Sequence, residues 1–379
     1  MRKLYTISNK NYIFALIKNL TKMKVNHSQL TLAREYRGLT QTELSKAVQG
    51  LSQSNLSKFE KGLGGLSYEL LGKIFETLNF PKEFFAKKIN IDLEIANYRK
   101  KSSISKTLLQ DFETSCKFIG CLIDEMADSV EYPDFSLVTL DLEEGYTPEK
   151  AAIFTRKNFR IAPDEPIHDI FKVIENKGII IYELNTDEKF DGISFFTPKG
   201  FAVIVINKRF TNDRKRFTLA HELGHLVMHC SPDFPIPSGR NKEQEANDFA
   251  SEFLMPKNAI IKSLGNLKVS ALSALKNYWL TSKAAIVKRA QSLGAIDKDR
   301  YQFLNIELSR SGEKKKEKDT VSIDYPQVFN TSVGLHLKEL GYTENELAGA
   351  FSLPLDIIQK YLLQQPFAVI KPKLKVVTE

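Results

Sequence analysis

Cysteine is scarce: only Cys116, Cys121 and Cys230 occur in 379 residues. An odd, sparse set excludes a disulfide framework and predicts a reducing compartment, the cytoplasm. Cys116 and Cys121 have no His or Cys neighbour in sequence, so they read as core packing rather than as metal ligands. No apolar run reaches the roughly 20 residues that a membrane-spanning helix needs. The short stretch Tyr12-Ile13-Phe14-Ala15-Leu16-Ile17 lies between Lys10 and Lys18 without a small-residue cleavage site, so no secretory signal is expected. With 42% hydrophobic and 26% charged residues, the composition also excludes a disordered or fibrous chain. At roughly 100–200 residues per domain, the length predicts two or three domains.

Charge is present in excess of one sign, and the excess is localised. The net charge is +8. Residues 1–65 carry eleven basic side chains against Glu35, Glu43 and Glu60, while the remaining chain is balanced. The whole surplus therefore sits in one small N-terminal unit, which is the electrostatic footprint of a phosphate-binding surface.

Within that unit, Leu30, Ala33 and Arg34 begin a helical pattern that ends at Gly38. Thr40 then predicts an N-cap, with Glu43 completing a capping box. Leu44, Ala47 and Val48 continue this helix to Gly50, and Ser52 starts a second one, Gln53–Lys61, closed by Gly62. Two short helices across a Gly-bearing turn, the second rich in amide, hydroxyl and Lys side chains, suit a helix-turn-helix. Gln and Asn read base edges, while Ser and Lys hold phosphates. A small dimerisation bundle with solubilising lysines is the plainer alternative.

The segments Leu39-Thr40-Gln41-Thr42-Glu43-Leu44-Ser45 and Ser52-Gln53-Ser54-Asn55-Leu56-Ser57-Lys58-Phe59-Glu60-Lys61-Gly62 resemble the lambda-repressor-like (XRE-type) helix-turn-helix family. The resemblance implies double-stranded DNA as partner, a recognition helix at Gln53–Lys61, and a phosphate clamp at Gln41. The expected DNA contacts are Gln41, Gln53, Ser54, Asn55, Ser57 and Lys58. Leu63-Gly64-Gly65-Leu66 departs from the family's polar loop, so the following helix is expected to be displaced. Residues 1–22 fit no part of this unit and are expected to form a disordered extension.

Helices are predicted over about 68–85 and 108–130, joined by the basic linker Asn97–Ser103. From Pro148 two further helices precede the apolar run Gly178–Tyr182. Ile193–Phe196, the turn Thr197-Pro198-Lys199-Gly200 and Phe201–Ile206 read as a hairpin, which predicts a small antiparallel sheet.

The next helix, Arg216–His229, contains His221-Glu222-Leu223-Gly224-His225. The two His lie one turn apart, about 6 Å along the axis, so both imidazoles can converge on one Zn²⁺. Glu222 is placed to take a proton from an attacking water. Leu219, Ala220, Leu223, Leu226 and Val227 predict that this helix is buried. A third ligand is still required. His229 lies about 12 Å along the axis from His221, too far to share an ion through a straight helix. It reads as a helix-end residue, with Cys230 a minor alternative ligand. A downstream helix, Glu243 to Pro256, offers Glu243 in its first turn. Glu245 points about 200° around the axis from Glu243, so one of the two faces the ion, and Glu243 is preferred.

Arg216–His225, then Glu243-x-x-Ala246-Asn247-x-Phe249-Ala250 and Leu254-Met255-Pro256, resemble the ImmA/IrrE family of metallopeptidases over about 150–310. The resemblance implies a minimal thermolysin-like fold and Zn²⁺ held by His221, His225 and Glu243. It further implies Glu222 as general base and cleavage of partner repressor proteins in phage, mobile-element or stress control.

Ser311–Asp319 is a mixed charge run, expected to be a solvated linker. Beyond it, Gly341–Ala348 and Leu355–Tyr361 echo Gly38–Ser45 and Leu56–Phe59 without the basic excess, which favours a packing or partner-binding role over DNA binding.

The expected fold is multidomain and mainly α with a small antiparallel β-sheet. Its segments are an extension at 1–22, a helix-turn-helix domain at 23–90 and a helical linker at 91–145. A zincin domain at 146–310, a charged linker at 311–320 and a small helical domain at 321–379 follow. The expected function is a homodimeric cytoplasmic transcription regulator whose zinc endopeptidase domain cleaves a repressor protein or itself. The alternative is a regulator or antitoxin-like protein whose zincin domain is a sensor or scaffold without turnover.

Overall fold

The computed structural model describes residues 24–91, 93, 104–231, 235–323, 325–363 and the backbone of 375–376. The expected extension at 1–22 and the basic linker at 97–103 lie outside the described residues. Contacts divide the chain into two units. One gathers the described parts of Met1–Asn90, Lys106–Leu122 and Leu337–Gln364, and the other those of Ile91–Ser105, Ile123–His336 and Gln365–Glu379. No helix among the described residues is long and apolar enough to cross a membrane.

The first unit opens with helices α1 (His27–Tyr36), α2 (Gln41–Ala47), α3 (Gln53–Glu60) and α4 (Tyr68–Leu78). Each start is written in a capping side chain: Asn26, Thr40, Ser52 and Ser67 accept from backbone N–H groups of the first turn. The Thr40–Glu43 capping box is present. Leu30, Ala33, Leu44, Leu56, Ile74 and Leu78 are buried and form the core of this small bundle. Arg34 crosses it as a fork, Nε to Glu60 Oε1 at 2.6 Å and Nη2 to Glu60 Oε2 at 2.9 Å.

Helix α5 (Lys106–Met126) adds Phe118, which lies against Phe84 and Tyr36. The helices Glu344–Ala350 and Leu355–Tyr361 complete this unit. Tyr361 stacks on Phe118 and donates to Ser115 Oγ at 3.0 Å, and Arg37 donates to Asp356 at 2.7 Å. The segment expected as a separate domain at 321–379 is thus shared between the two units. Leu347, Leu353, Ile357, Ile358 and Tyr361 are buried, and Tyr361 is covered by Phe118 and Ser115 of α5 rather than by the segment itself.

In the second unit the short strand β1 (Val130–Glu131) pairs antiparallel with Lys375–Val376. Helices α6 (Pro148–Asn158) and α7 (Ile170–Glu175) lead into β2 (Ile179–Leu184), β3 (Gly192–Phe196) and β4 (Ala202–Asn207). The expected hairpin is β3–β4, with Ser194 opposite Ile204. The sheet, however, is mixed rather than antiparallel: its order is β2-β4-β3, and β2 runs parallel to β4. The connection after β2 skips one strand position, which β4 then fills. Alternation along a strand does not encode that choice. Helix α8 (Asn212–Met228) lies on one face, where Lys215 meets Glu183 at 2.7 Å. Phe329 of the helix Val328–Gly334 covers the other face against Tyr182, with rings 5.0 Å apart. Burial on both faces accounts for the apolar run Ile179–Tyr182 of β2.

Helix α9 (Lys242–Leu254) packs on α8, and Leu219, Leu223, Phe249, Ala250 and Phe253 join Ile179, Ile181 and Ile204 in one core. Four further helices, Lys257–Leu264, Leu272–Trp279, Lys283–Ser292 and Lys298–Arg310, follow. The run Ser311–Asp319 is not a solvated linker. Glu317 pairs with the buried Lys276 at 2.8 Å, and Lys283 is held by Glu313 and by Asp319, the latter at 2.9 Å. The acids of the run face inward onto two buried ammonium groups, while Lys314, Lys315, Lys316 and Lys318 stay exposed.

The start of the helix Val328–Gly334 is fastened by Glu175, which accepts from the backbone N–H groups of Gln327 and Val328 at 2.9–3.1 Å. Burial pushes its carboxyl from 4.5 up to about 8, against the opposing pull of those N–H groups. The folded chain then holds a proton that the unfolded chain releases. The contribution is complete below pH 4.5 and is lost as pH rises through about 8. The thermal midpoint is expected to fall across that window, and Glu175→Gln to flatten the dependence in a pH series of melts.

Candidate metal centre and nucleic-acid interface

Helix α8 is buried without a break from Thr218 to Met228. Its sequence contains a glycine where a neighbour comes too close for a side chain. A Cβ on Gly224 would lie 3.0 Å from Phe249 Cδ1, so this position lets α9 approach α8. The approach brings the first turn of α9, started by the Asn241 cap, against the His-bearing face of α8.

There, His221 and His225 present their Nε2 atoms 3.1 Å apart. Glu243 sets Oε2 3.4 Å from His221 Nε2 and Oε1 3.4 Å from His225 Nε2. One ligand atom from each of the three lies within 4.8 Å of the others, the one such group of three among the described residues. Two imidazole nitrogens and a carboxylate oxygen are the donor chemistry that Zn²⁺ takes, with a fourth direction left open. His221 turns its other nitrogen, Nδ1, to Asn247 Oδ1 at 3.1 Å. Burial lowers the His225 pKa to about 3, outweighing the Glu243 carboxylate, so its ring is neutral and carries a lone pair near pH 7. Burial alone would raise Glu243, but the imidazoles of His221 and His225 beside it hold it well below the usual carboxylate range.

Glu222 points instead toward the sheet, where Ser194 Oγ donates to its Oε2 at 2.9 Å, both groups being buried. Gly192 leaves room for this arrangement. A Cβ there would meet Thr218 Cγ2 at 2.6 Å and Val205 O at 3.0 Å. Sequence reasoning did not find Ser194. Its signal was the strand alternation, which puts positions 192, 194 and 196 on the face toward α8.

The residues set aside at the end of the helix are placed differently. His229 caps α8, with Nδ1 2.9 Å from His225 Nδ1 and Nε2 2.8 Å from Glu245 Oε2. Glu245 therefore turns to His229 and to Arg240, away from the three converging donors. Burial lowers the His229 pKa to about 4, against the pull of Glu245. Cys230 is half-buried and does not join the group.

In the first unit, Gln53, Ser54, Asn55 and Lys58 of α3 are exposed, and Ser57 is half-buried. Gln41 links the two helices: it donates to Glu60 Oε2 at 2.7 Å and accepts from Gln53 Nε2 at 2.9 Å. The buried fork from Arg34 to Glu60 thus extends through Gln41 to Gln53 on the exposed face.

Gly224→Val places two methyl groups against Phe249. Overpacking of this kind costs about 1–3 kcal/mol, and denaturant unfolding of the variant is expected to show a loss in that range.

Residues 174–291, which contain α8 and α9, match a peptidase family model described as the IrrE N-terminal-like domain. Residues 30–85, which contain α2 to α4, match a family model described as Helix-turn-helix. No curated protein and no solved structure matches the chain. The chain thus joins a helix-turn-helix domain of the XRE type to an IrrE N-terminal-like, metallopeptidase-like domain.

Proposed function

We propose that this chain is a DNA-binding transcription regulator whose metallopeptidase-like domain is a zinc endopeptidase. Its substrate is a repressor protein or the chain itself, and the cleavage controls mobile-element, phage or stress genes. The observation that carries the reading is the meeting of His221, His225 and Glu243 from two helices, with the buried Glu222 one residue from the first.

In this reading His221, His225 and Glu243 hold Zn²⁺. Bound there, the ion supplies Lewis-acid polarisation of a peptide carbonyl and makes water a stronger nucleophile near neutral pH. Glu222 takes the proton of the attacking water as the C–O bond forms. It then delivers that proton to the amine as the C–N bond breaks. Ser194 keeps the Glu222 carboxylate in one orientation through its hydroxyl. On DNA, α3 lies in the major groove with Gln53 and Asn55 toward base edges, while Gln41, Ser54, Ser57 and Lys58 hold phosphates. Two copies acting as a homodimer in the cytoplasm would read half-sites about 34 Å apart.

Elemental analysis of the purified chain is expected to give one zinc per chain, lost in His221→Ala. Glu222→Gln should keep the zinc and the DNA binding while cleavage of the target repressor falls by roughly 10²–10⁴-fold. Regulation unchanged in that variant would instead make the domain a sensor without turnover.

Gln53→Ala and Asn55→Ala are expected to relax sequence preference by about 1–3 kcal/mol per lost base contact. Lys58→Ala should weaken all sequences alike and reduce the salt slope of binding by about 1. Binding isotherms on an operator and its single-base variants, at several salt concentrations, separate these effects.

A further inference from the structure

His229 is fully buried one turn beyond His225, yet it is not among the three converging donors. Its two ring nitrogens are both engaged, and their partners fix where its hydrogen sits. Glu245 Oε2, 2.8 Å from His229 Nε2, is a carboxylate oxygen that only accepts. His229 Nε2 therefore carries the hydrogen, and Nδ1 of the neutral ring is bare. That bare nitrogen lies 2.9 Å from His225 Nδ1, where two lone pairs or two N–H groups would repel. His225 then donates through Nδ1 at 2.9 Å in preference to the longer 3.4 Å approach of its Nε2 to Glu243, which leaves Nε2 with a lone pair directed at the space shared with His221 and Glu243.

The far end of this chain is anchored as firmly as the near end. Arg240 grips Glu245 in a fork, Nε to Oε1 at 2.9 Å and Nη2 to Oε2 at 2.7 Å, while its Nη1 reaches Glu143 at 3.3 Å. The fork leaves the carboxylate little freedom to turn from His229. His221 turns its outer nitrogen to a neutral amide, Asn247, rather than to another ring.

We propose that Arg240, Glu245 and His229 are positioning residues that act in series to hold His225 as its Nδ1–H tautomer, with Nε2 presented to the metal. The inference rests on the metal reading above and deepens it. Outer partners of this kind typically change metal affinity 10–100-fold when removed. Here the effect passes through two rings rather than one.

The test uses the full chain with ¹⁵N-labelled histidine and, separately, a zinc titration against a chromophoric chelator. In the metal-free wild type, long-range ¹H–¹⁵N spectra should show His225 protonated at Nδ1. In Glu245→Leu, His229 is free to take either tautomer, and His225 should show a mixture. His229→Phe removes the acceptor and should weaken zinc binding about 10–100-fold. His229→Asn returns an acceptor oxygen near the position of Nδ1 and should bring affinity back to within about threefold of wild type, which a merely space-filling role would not do. The inference is overturned if metal-free His225 is protonated at Nε2, if His229→Phe binds zinc like the wild type, or if His229→Asn is as impaired as His229→Phe. A wild-type chain that takes up no zinc would sink the metal reading itself. The tautomer measured in the metal-free chain still decides whether Glu245 and His229 set the ring.

Discussion

The close contact of α8 with α9 governs the second unit. A helix offering two imidazoles on one face can supply only two donors to one point, because the next His on that face is too far along the axis. The third donor must come from another helix, and its carboxylate must arrive within a few ångströms. Gly224 permits that approach by leaving Phe249 room to lie against the α8 backbone. The sheet behind α8 supplies the opposing wall, and Ser194 and Gly192 of β3 meet Glu222 and Thr218 there. The HExxH residues are therefore clamped from both sides. The same clamping strips water from His225 and keeps its ring neutral.

Much of this was legible in the chain because it is local. Caps at Thr40 and Ser52 mark helix starts by short-range hydrogen bonding, and each is found where its sequence puts it. The i, i+4 spacing of His221 and His225 and the first-turn position of Glu243 follow from helical geometry alone. What was not legible depends on pairing between distant segments. The parallel match of β2 to β4 is one case, since an apolar run does not name its neighbour. Glu245 is another. Its angle around α9 showed that it faces away from Glu243, but not that His229 would be waiting there. Ser194 belongs with these, a small polar residue in an apolar strand whose partner lies 28 positions away.

Charge behaves differently in the two units. Over residues 1–65 of the first, acids are few and bound to specific tasks: Glu60 is held by Arg34 and Gln41, and Glu43 closes a helix cap. Among the described basic residues of that segment, Lys24, Lys46, Lys58 and Lys61 face outward, as do the amides Gln53 and Asn55 of α3. In the second, acids and bases are used in pairs at or below the surface, as with Lys215–Glu183 and Arg289–Glu252. The even charge balance beyond residue 65 hides this, because a composition does not distinguish a solvated lysine from one buried under a carboxylate.

The inward-facing acids of Ser311–Asp319 bear on where the second unit physically ends. The family match stops at residue 291, but Lys283 is paired with Glu313 and Asp319, and Lys276 with Glu317 as well as with Asp213. A fragment trimmed to the matched boundary would strand the Lys283 ammonium, whose stem is already sunk in the protein, and would leave Lys276 with Asp213 alone, an expensive change in any low-dielectric setting. The smallest self-sufficient piece of this half must therefore reach at least to Asp319, well past the border that resemblance alone would draw.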